Sequence, residues 1–391
     1  MTIATYIFWI CLFLLVYPYL IYPLILKLLA RFFSANGKLA ESREDWPAVS
    51  FIISAFNEEQ VIGEKLENTL ALDYPADKLE IIVISDASDD RTDEIVRAWS
   101  EKDSRIRLVR QEERRGKSAG LNHGVQAARG EAIVFSDANA MYKRDAIYEL
   151  VKYFVNPEIG YVMGAALYND GGDNEATESE GLYWRFELFL KEMESKFYSV
   201  VGGDGAIYAI RRNLFWTLKD DDINDFVNPL QIVAKGYRGI FNPQAICYED
   251  AAEAFGKEFR RKRRIVNRSW RAVKRYLGWF NPIRQFRFLF ELFSHKVLRW
   301  FSMVILIAMF VANILVVALS GHPFYAVTLA GMLLTVGLAL YGASLDGKNR
   351  PIPKLVYLPY YFFLVNYAAL LGIWDETRGV RHAVWNHVRD S

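Results

Sequence analysis

Asp137 and Asp225 are the side chains whose type and setting best suit work on a bond. Asp137 closes the strand-like run Glu131-Ala132-Ile133-Val134-Phe135-Ser136-Asp137-Ala138-Asn139. Asp225 sits in Asp221-Asp222-Ile223-Asn224-Asp225-Phe226, just ahead of the amphipathic run from Val227 to Ala234. One carboxylate can hold a divalent cation against a diphosphate. The other can accept the proton of an attacking hydroxyl. Both fall in the polar middle of the chain, between apolar ends, which points to group transfer from an activated diphosphate donor at a membrane face.

The elements that must position these groups follow from the hydropathy pattern. Val49 to Ser54 is a β-rich apolar run that leads into Ala55-Phe56-Asn57-Glu58-Glu59 and a helical pattern from Gln60 to Leu72. Leu79 to Ser85 ends in Asp86-Ala87-Ser88-Asp89-Asp90, with a helix from Thr92 to Ser100 behind it. Ile106 to Val109 and Ala132 to Ser136 complete four strands, and a further helix is centred on His123 to Ala128. Strands alternating with helices of this length predict an α/β domain with a mostly parallel sheet covered on both faces. Ligands in such sheets collect outside the carboxyl ends of the strands, where Asn57, Asp86 and Asp137 all fall. An Asp after a strand is by itself more often a cap or turn residue; three such ends together carry the argument. The loop Arg114-Arg115-Gly116-Lys117-Ser118-Ala119-Gly120 adds cations before a helix N-terminus, a setting for phosphate. The glycine spacing ahead of Lys117 excludes a Walker A loop.

Composition narrows the class. The chain has 391 residues and a net charge of +1, which gives no footprint for nucleic acid. Its two cysteines, Cys11 and Cys247, lie in apolar runs and form neither a disulfide framework nor a metal cluster. Residues 4–26 carry no charge and are long enough for a hydrocarbon core of about 30 Å. They lack the basic start and small-residue cleavage site of a signal peptide. Lys27, Arg31 and Lys38 follow, so the positive-inside rule places the central block in the cytoplasm. Phe301 to Leu319 and Phe324 to Leu345 read as two further spans. Leu355 to Trp374, interrupted by Pro359 and Asn366, reads either as a span or as a segment that dips in and returns. Asn281 to Arg299 mixes phenylalanines with basic residues and reads as an interface helix on anionic lipid. The division expected is a membrane helix over 1–30, a catalytic block over 45–275, an interface helix over 281–299, membrane helices over 300–375 and a basic tail over 376–391. The spans carry almost no ionisable residue, which argues against a transporter.

On these residues the chain resembles the family 2 glycosyltransferases of GT-A (Rossmann-like) fold, in particular the bacterial membrane-embedded group of cellulose, chitin, hyaluronan and poly-N-acetylglucosamine synthases. The likeness runs from Pro47 to Trp300. It implies that Ala55, Asn57, Glu58, Asp86 and Lys117 bind the nucleotide, and that Asp137 and Asn139 hold a divalent metal, Mg²⁺ or Mn²⁺, on the diphosphate. Gly203, Asp204 and Gly205, in Gly202-Gly203-Asp204-Gly205-Ala206, resemble the segment under the acceptor sugar. Asp225 is similar to the general base, so that displacement inverts the anomeric carbon. The resemblance implies a UDP-sugar donor, a polysaccharide or lipid-linked glycan acceptor, and a multi-pass protein of the bacterial inner membrane that can form oligomers.

Two departures are visible. Asn139 stands where the metal motif has its second acid. The Gln-x-x-Arg-Trp motif of long-chain synthases is replaced by a stretch in which Arg268 and Trp270 stand one residue too far apart. Arg264 and Arg268 remain candidates for the diphosphate and Trp270 for stacking on the acceptor; a lipid-binding basic run is the equal alternative. The departures weaken a processive polymerase, yet extension of a polymer stays the leading reading, with a transferase that adds one sugar to a lipid-linked acceptor as the alternative. A catalytically silent nucleotide-binding membrane protein is the reading from another class.

Overall fold

The computed structural model describes residues 2–33, 46–169, 175–250 and 255–381. Lys38, and Arg389 with most of the basic tail, lie outside these residues. The chain enters through α1 (Thr2–Val16), a π-turn at Tyr17–Ile21 and α2 (Tyr22–Leu29). Then come β1 (Val49–Ala55), α3 (Ile62–Leu70), β2 (Leu79–Ser85), α4 (Thr92–Lys102), β3 (Ile106–Arg110), α5 (Lys117–Ala127) and β4 (Ala132–Asp137). These four strands pair in parallel in the order β3-β2-β1-β4, with Val49 opposite Leu79 on one side and Ala132 on the other.

Alternation along these strands divides two apolar cores. Phe51, Ile53, Ile81, Val83 and Val134 face one core with Ile62 and Leu66 of α3 and Val96 of α4. Ile52, Ile82, Ile84, Ile133 and Phe135 face the other with Leu121 and Val125 of α5. Burial on both faces explains why these strands read as continuous apolar runs.

The second half of the domain departs from the parallel pattern. It contains β5 (Met141–Tyr142), α6 (Ala146–Val151), β6 (Ile159–Asn169), α7 (Glu175–Phe197), β7 (Tyr208–Arg211), α8 (Asn224–Ala234), β8 (Arg238–Asp250) and α9 (Phe255–Tyr276). β7 runs antiparallel between β4 and β6, and β8 pairs parallel with β6 and antiparallel with β5. The result is a mixed eight-stranded sheet ordered β3-β2-β1-β4-β7-β6-β8-β5. β7 reaches over β4 and brings the 202–206 segment and α8 to the ends of the parallel strands.

The expected interface helix is broken into α10 (Phe286–Leu292), a π-turn at Phe293–Val297 and the short α11 (Leu298–Trp300). The π-turn aims His295 inward, where it meets Glu194 at 2.6 Å and Glu187 at 3.1 Å. α12 (Ser302–Ser320), α13 (Pro323–Asp346) and α14 (Lys354–Thr377) follow. Together with Thr2–Leu29, they make four helices long and apolar enough to cross a membrane, which marks the chain as membrane-associated.

Phe8 and Cys11 pack on Met309 and Ala312, and the Trp9 indole N–H donates to the Tyr325 hydroxyl at 3.1 Å. The start of α1 therefore lies beside the α12–α13 turn. Tyr22, at the other end, donates to Glu194 of α7 at 3.0 Å. α14 behaves differently. Tyr360 near its start donates to Asp346 at the end of α13, whereas Asp375 near its end takes two bonds from Arg263 of α9, at 2.6 and 2.8 Å. Gly372 allows this close alignment: a Cβ there would stand 2.6 Å from the Arg263 carbonyl.

Candidate active site

Asp137 is the last residue of β4, and Lys117 opens α5; their side chains form an ion pair. Gly116 makes the start of α5 possible. Its φ of 87° is one that glycine adopts without strain, and its amide donates to both oxygens of Asp86, at 3.1 and 3.0 Å. The Arg115 amide and the Gln111 side chain complete the set around Asp86, at 2.9 and 2.5 Å. Asp86 thus fixes the cationic loop at the end of its strand. The next residue, Ala87, is held at a φ of 57°, a costly conformation for a residue with a Cβ, and such strain clusters at functional sites.

Ala55, Phe56, Glu58, Asp86, Lys117, Asp137 and Asn139 line one narrow crevice over the strand ends. Asn57 does not line it. Instead it braces the neighbouring strand end, donating to Asp89 at 2.6 Å and accepting from its amide at 3.0 Å, with a φ of 54° that asparagine tolerates. The Arg114 guanidinium stands 3.7 Å over the ring of Phe56, which lines the crevice, a pairing the sequence pattern does not reveal. Lys65 was missed as well. It is fully buried, it donates to the Ala140 carbonyl behind the Asp137 turn, and burial pulls its pKa down to about 7.

Asp225 lies in the first turn of α8, and its carbonyl accepts from the Gly203 amide at 3.2 Å. A Cβ on Gly205 would stand 3.3 Å from the Lys117 ammonium and 3.8 Å from the Asp225 carboxylate. Lys117 therefore reaches between the two carboxylates. Asp137 faces the narrow crevice and Asp225 faces a second, larger cavity of about 540 Å³, with Lys117 at the junction. Gly203 belongs to the larger cavity with Asp225. Asp204 caps its own turn through the Ala206 amide at 3.2 Å.

The electrostatics record a surplus of negative charge. Burial, then the Asp204 and Asp137 charges, outweigh Lys117 and push Asp225 up to about 6. Burial, followed by Asp204 and Asp137, also raises Glu249 of β8. Burial acts to lower the Lys117 pKa, but Asp137, Asp225 and Glu249 outweigh it and hold the ammonium above its ordinary value. A carboxylate whose pKa is raised toward the working pH, yet which is still mostly ionised at neutrality, suits a general base.

Among the described residues, no three His, Cys, Asp or Glu side chains converge as metal ligands. Magnesium-type ions are usually held by one or two carboxylates, with substrate phosphates supplying further ligands. Asp137 with the Asn139 amide oxygen, in a crevice crowded with carboxylates, fits that donor set.

The basic helix α9 does other work than the sequence suggested. Arg268 donates to the carbonyls of Asp220, Asp221 and Asp222, at 3.1, 3.0 and 2.6 Å. Arg271 and Arg275 pair with Asp221 and Asp222. These arginines clasp the loop that leads into Asp225. Burial, then the neighbouring Arg268 and Arg261, lowers Arg264 to about 10. Trp270 packs edge-on to Phe301, with centroids 5.3 Å apart, and does not line the larger cavity.

Residues 50–219 match the sequence profile of Glycosyl transferase family 2. A probable glycosyltransferase, YdaM of Bacillus subtilis (strain 168), is 30% identical over 289 residues, covering 71% of this chain and 69% of that protein. The chain belongs to glycosyltransferase family 2. The poly-β-1,6-N-acetyl-D-glucosamine synthase of Staphylococcus aureus (strain COL) is 33% identical over 133 residues, 34% of this chain and 32% of that protein. The match thus spans about a third of the synthase's length. A mannosyltransferase of Pyrobaculum calidifontis, solved with GDP-mannose and Mn²⁺, superposes with a TM-score of 0.69 at 26% identity, covering 95% of this chain and 99% of that one. The GT-A fold and the glycosyltransferase assignment expected from the sequence are therefore established.

Proposed function

We propose that this glycosyltransferase inverts the anomeric carbon of a nucleotide sugar, with Asp225 as base and Asp137, aided by Asn139, holding a divalent cation on the diphosphate. The observation that carries this is the placement of Lys117 and Gly205 between the two carboxylates. A bound cation would stabilise the diphosphate as it leaves. Lys117 gives up its pairing with Asp137 as the donor enters and turns its charge to the phosphates. Asp225 takes the acceptor proton as the new bond forms on the face opposite the departing group, so an α-linked donor gives a β-linked product. Arg264 lies among mutually repelling guanidiniums, an arrangement that an entering diphosphate would relieve.

The donor proposed is a UDP-sugar. GDP-mannose, the ligand of the Pyrobaculum calidifontis mannosyltransferase matched along nearly the whole chain, is the second reading. Asp86 accepts ring N–H groups, which uracil and guanine both present, and so does not by itself choose between them. The domain division expected from the sequence is retained as part of the proposal, with the catalytic block cytoplasmic. One element changes: α14 lies along α9 where the catalytic domain meets the membrane and does not cross it, because its two ends pair with the end of α13 and with α9. Three crossings remain, and the C-terminus stays on the side favoured by its positive charge.

The test is Asp225→Asn in purified full-length protein. Nucleotide affinity is expected to stay within about twofold while transfer falls by roughly 10²–10⁴. Transfer at the wild-type rate would remove Asp225 from the role of base.

A further inference from the structure

The larger cavity is not closed by the catalytic domain alone. Its floor is Gly203, Asp225 and Phe226; one wall is α9, another is the 295–300 segment, and the remainder comes from membrane-type helices. Tyr19 of the first span lines it, as does Leu358 of α14, which is 68% exposed. Leu358, Phe362, Val365 and Ala369 give the cavity an aliphatic and aromatic face. Lys262, Lys296 and Arg299 line the same cavity. Glu187 serves both Lys296, at 3.4 Å, and Arg299, at 2.6 Å, and Lys262 lies 3.6 Å from Glu258. Glu187 also meets His295, at 3.1 Å, and Glu258 also pairs with Arg261, at 2.7 Å. Burial is the first cause that lowers both lysines; Arg261 and Arg299 add to it at Lys262, and Arg299 and Lys191 at Lys296, against the pull of neighbouring glutamates, so an anion entering the cavity meets a favourable charge. A volume of about 540 Å³ is ample for a headgroup and the first part of a chain.

We propose that this cavity is the acceptor site, and that the acceptor is a sugar joined through phosphate to a membrane lipid. The phosphate sits at Lys262, Lys296 and Arg299, the hydrocarbon leaves past Leu358 along α14, and the sugar hydroxyl reaches Asp225. A neutral polysaccharide offers nothing to the cations and needs no aliphatic exit, whereas a phosphate-linked lipid uses both. The step balances as a displacement: the acceptor oxygen bonds to the anomeric carbon, its proton passes to Asp225, and the nucleoside diphosphate leaves with the bonding pair. This inference rests on the assignment of Asp225 as base and deepens it by naming the acceptor class.

The experiment uses full-length protein in nanodiscs with the donor found in a nucleotide-sugar panel. Three acceptors are compared: a farnesyl-diphosphate-linked monosaccharide, the dodecyl glycoside of the same sugar, and the free oligosaccharide. Addition of one sugar to the diphosphate lipid is expected, with kcat/KM at least about tenfold above the dodecyl glycoside. Lys262→Gln and Lys296→Gln, on separate elements, should each raise KM for the diphosphate lipid without raising it for the dodecyl glycoside. Equal use of the two lipids would overturn the proposal, as would a ladder of products grown on the free oligosaccharide. Equal stimulation of both lipid acceptors by phosphatidylglycerol, abolished by the lysine variants, would assign the cations to bulk lipid and also overturn it. If an acceptor other than the diphosphate lipid is used and Asp225→Asn abolishes its use, the base assignment survives while the acceptor inference falls. Undiminished transfer by Asp225→Asn would sink the base assignment itself.

Discussion

The raised pKa of Asp225 makes a prediction about rate against pH. Activity needs the carboxylate ionised, so it is lost as pH falls through the folded-state value of about 6 instead of through the ordinary 3.8. Below that midpoint kcat/KM should drop by about tenfold per pH unit. The elevation of roughly two units arises first from burial, second from Asp204 and third from Asp137, with Lys117 opposing. Asp204→Asn removes the largest charge contribution and leaves burial intact. The acid limb should then move down by about one unit, the scale of one nearby like charge. At pH 5 wild type holds about one eleventh of Asp225 ionised; a midpoint shifted to about 5 would hold half, a gain of roughly fivefold. The kcat limb adds an internal control, because it reports the substrate complex. A cation neutralising Asp137 removes one raising charge, so the kcat limb should lie at lower pH than the kcat/KM limb. Both come from initial rates between pH 4.5 and 8 in constant-ionic-strength buffer. An acid limb near 4 that ignores Asp204→Asn, or one that moves upward, would refute the reasoning.

Other outcomes follow from the same geometry. Chelation by EDTA should abolish transfer, with Mn²⁺ or Mg²⁺ restoring it; Asp137→Asn should weaken the metal-dependent part of nucleotide binding, measured by calorimetry with and without metal. Gly203→Ala puts a methyl 2.0 Å from the Met163 sulfur and costs about 1–3 kcal/mol of stability in a thermal melt. Because the Gly203 amide holds the Asp225 carbonyl, activity should fall further than stability, and Met163→Ala in the same chain should recover part of the activity by relieving the contact. Arg268→Ala releases three carbonyls of the 220–222 loop, at about 1.5–3 kcal/mol for each bond from a charged donor where it is shielded from water. It should lower kcat with little effect on nucleotide affinity, which separates loop positioning from direct diphosphate binding.

The first half of the domain was legible because β1, β2 and β4 are buried on both faces and the strand ends carry acids or amides. Leu79–Ser85 has the bounds expected, and the other three parallel strands extend by one residue. The second half was not. β6 carries Gly160 and Gly164, where a Cβ would strike Ile232 and the Ala245 carbonyl, and those glycines mask a strand in the sequence. β7 has only four residues and pairs across long sequence separations that no local pattern reports. The candidate site was legible where backbone topology sets it, at Asp86, Lys117 and Asp137. It was illegible where side chains choose their partners. The arginines of α9 are chemically fit for a diphosphate, but Arg268, Arg271 and Arg275 are engaged by the acidic loop 220–222, and only the fold brings that loop to them. Trp270 has the right chemistry for stacking on a sugar, but it packs in T-shaped contacts with Phe301 and Trp300 and does not line the larger cavity. Phe293–Val297 breaks an apparently simple interface helix because a π-turn is needed to turn His295 toward Glu187 and Glu194.

The most direct measurement is a structure of the full-length protein with an unreactive donor analogue and Mn²⁺. The account predicts the cation at Asp137, the diphosphate at Lys117, and the sugar projecting past Gly205 with its anomeric carbon facing Asp225. A donor whose sugar points away from Asp225, or a metal bound without Asp137, would contradict it.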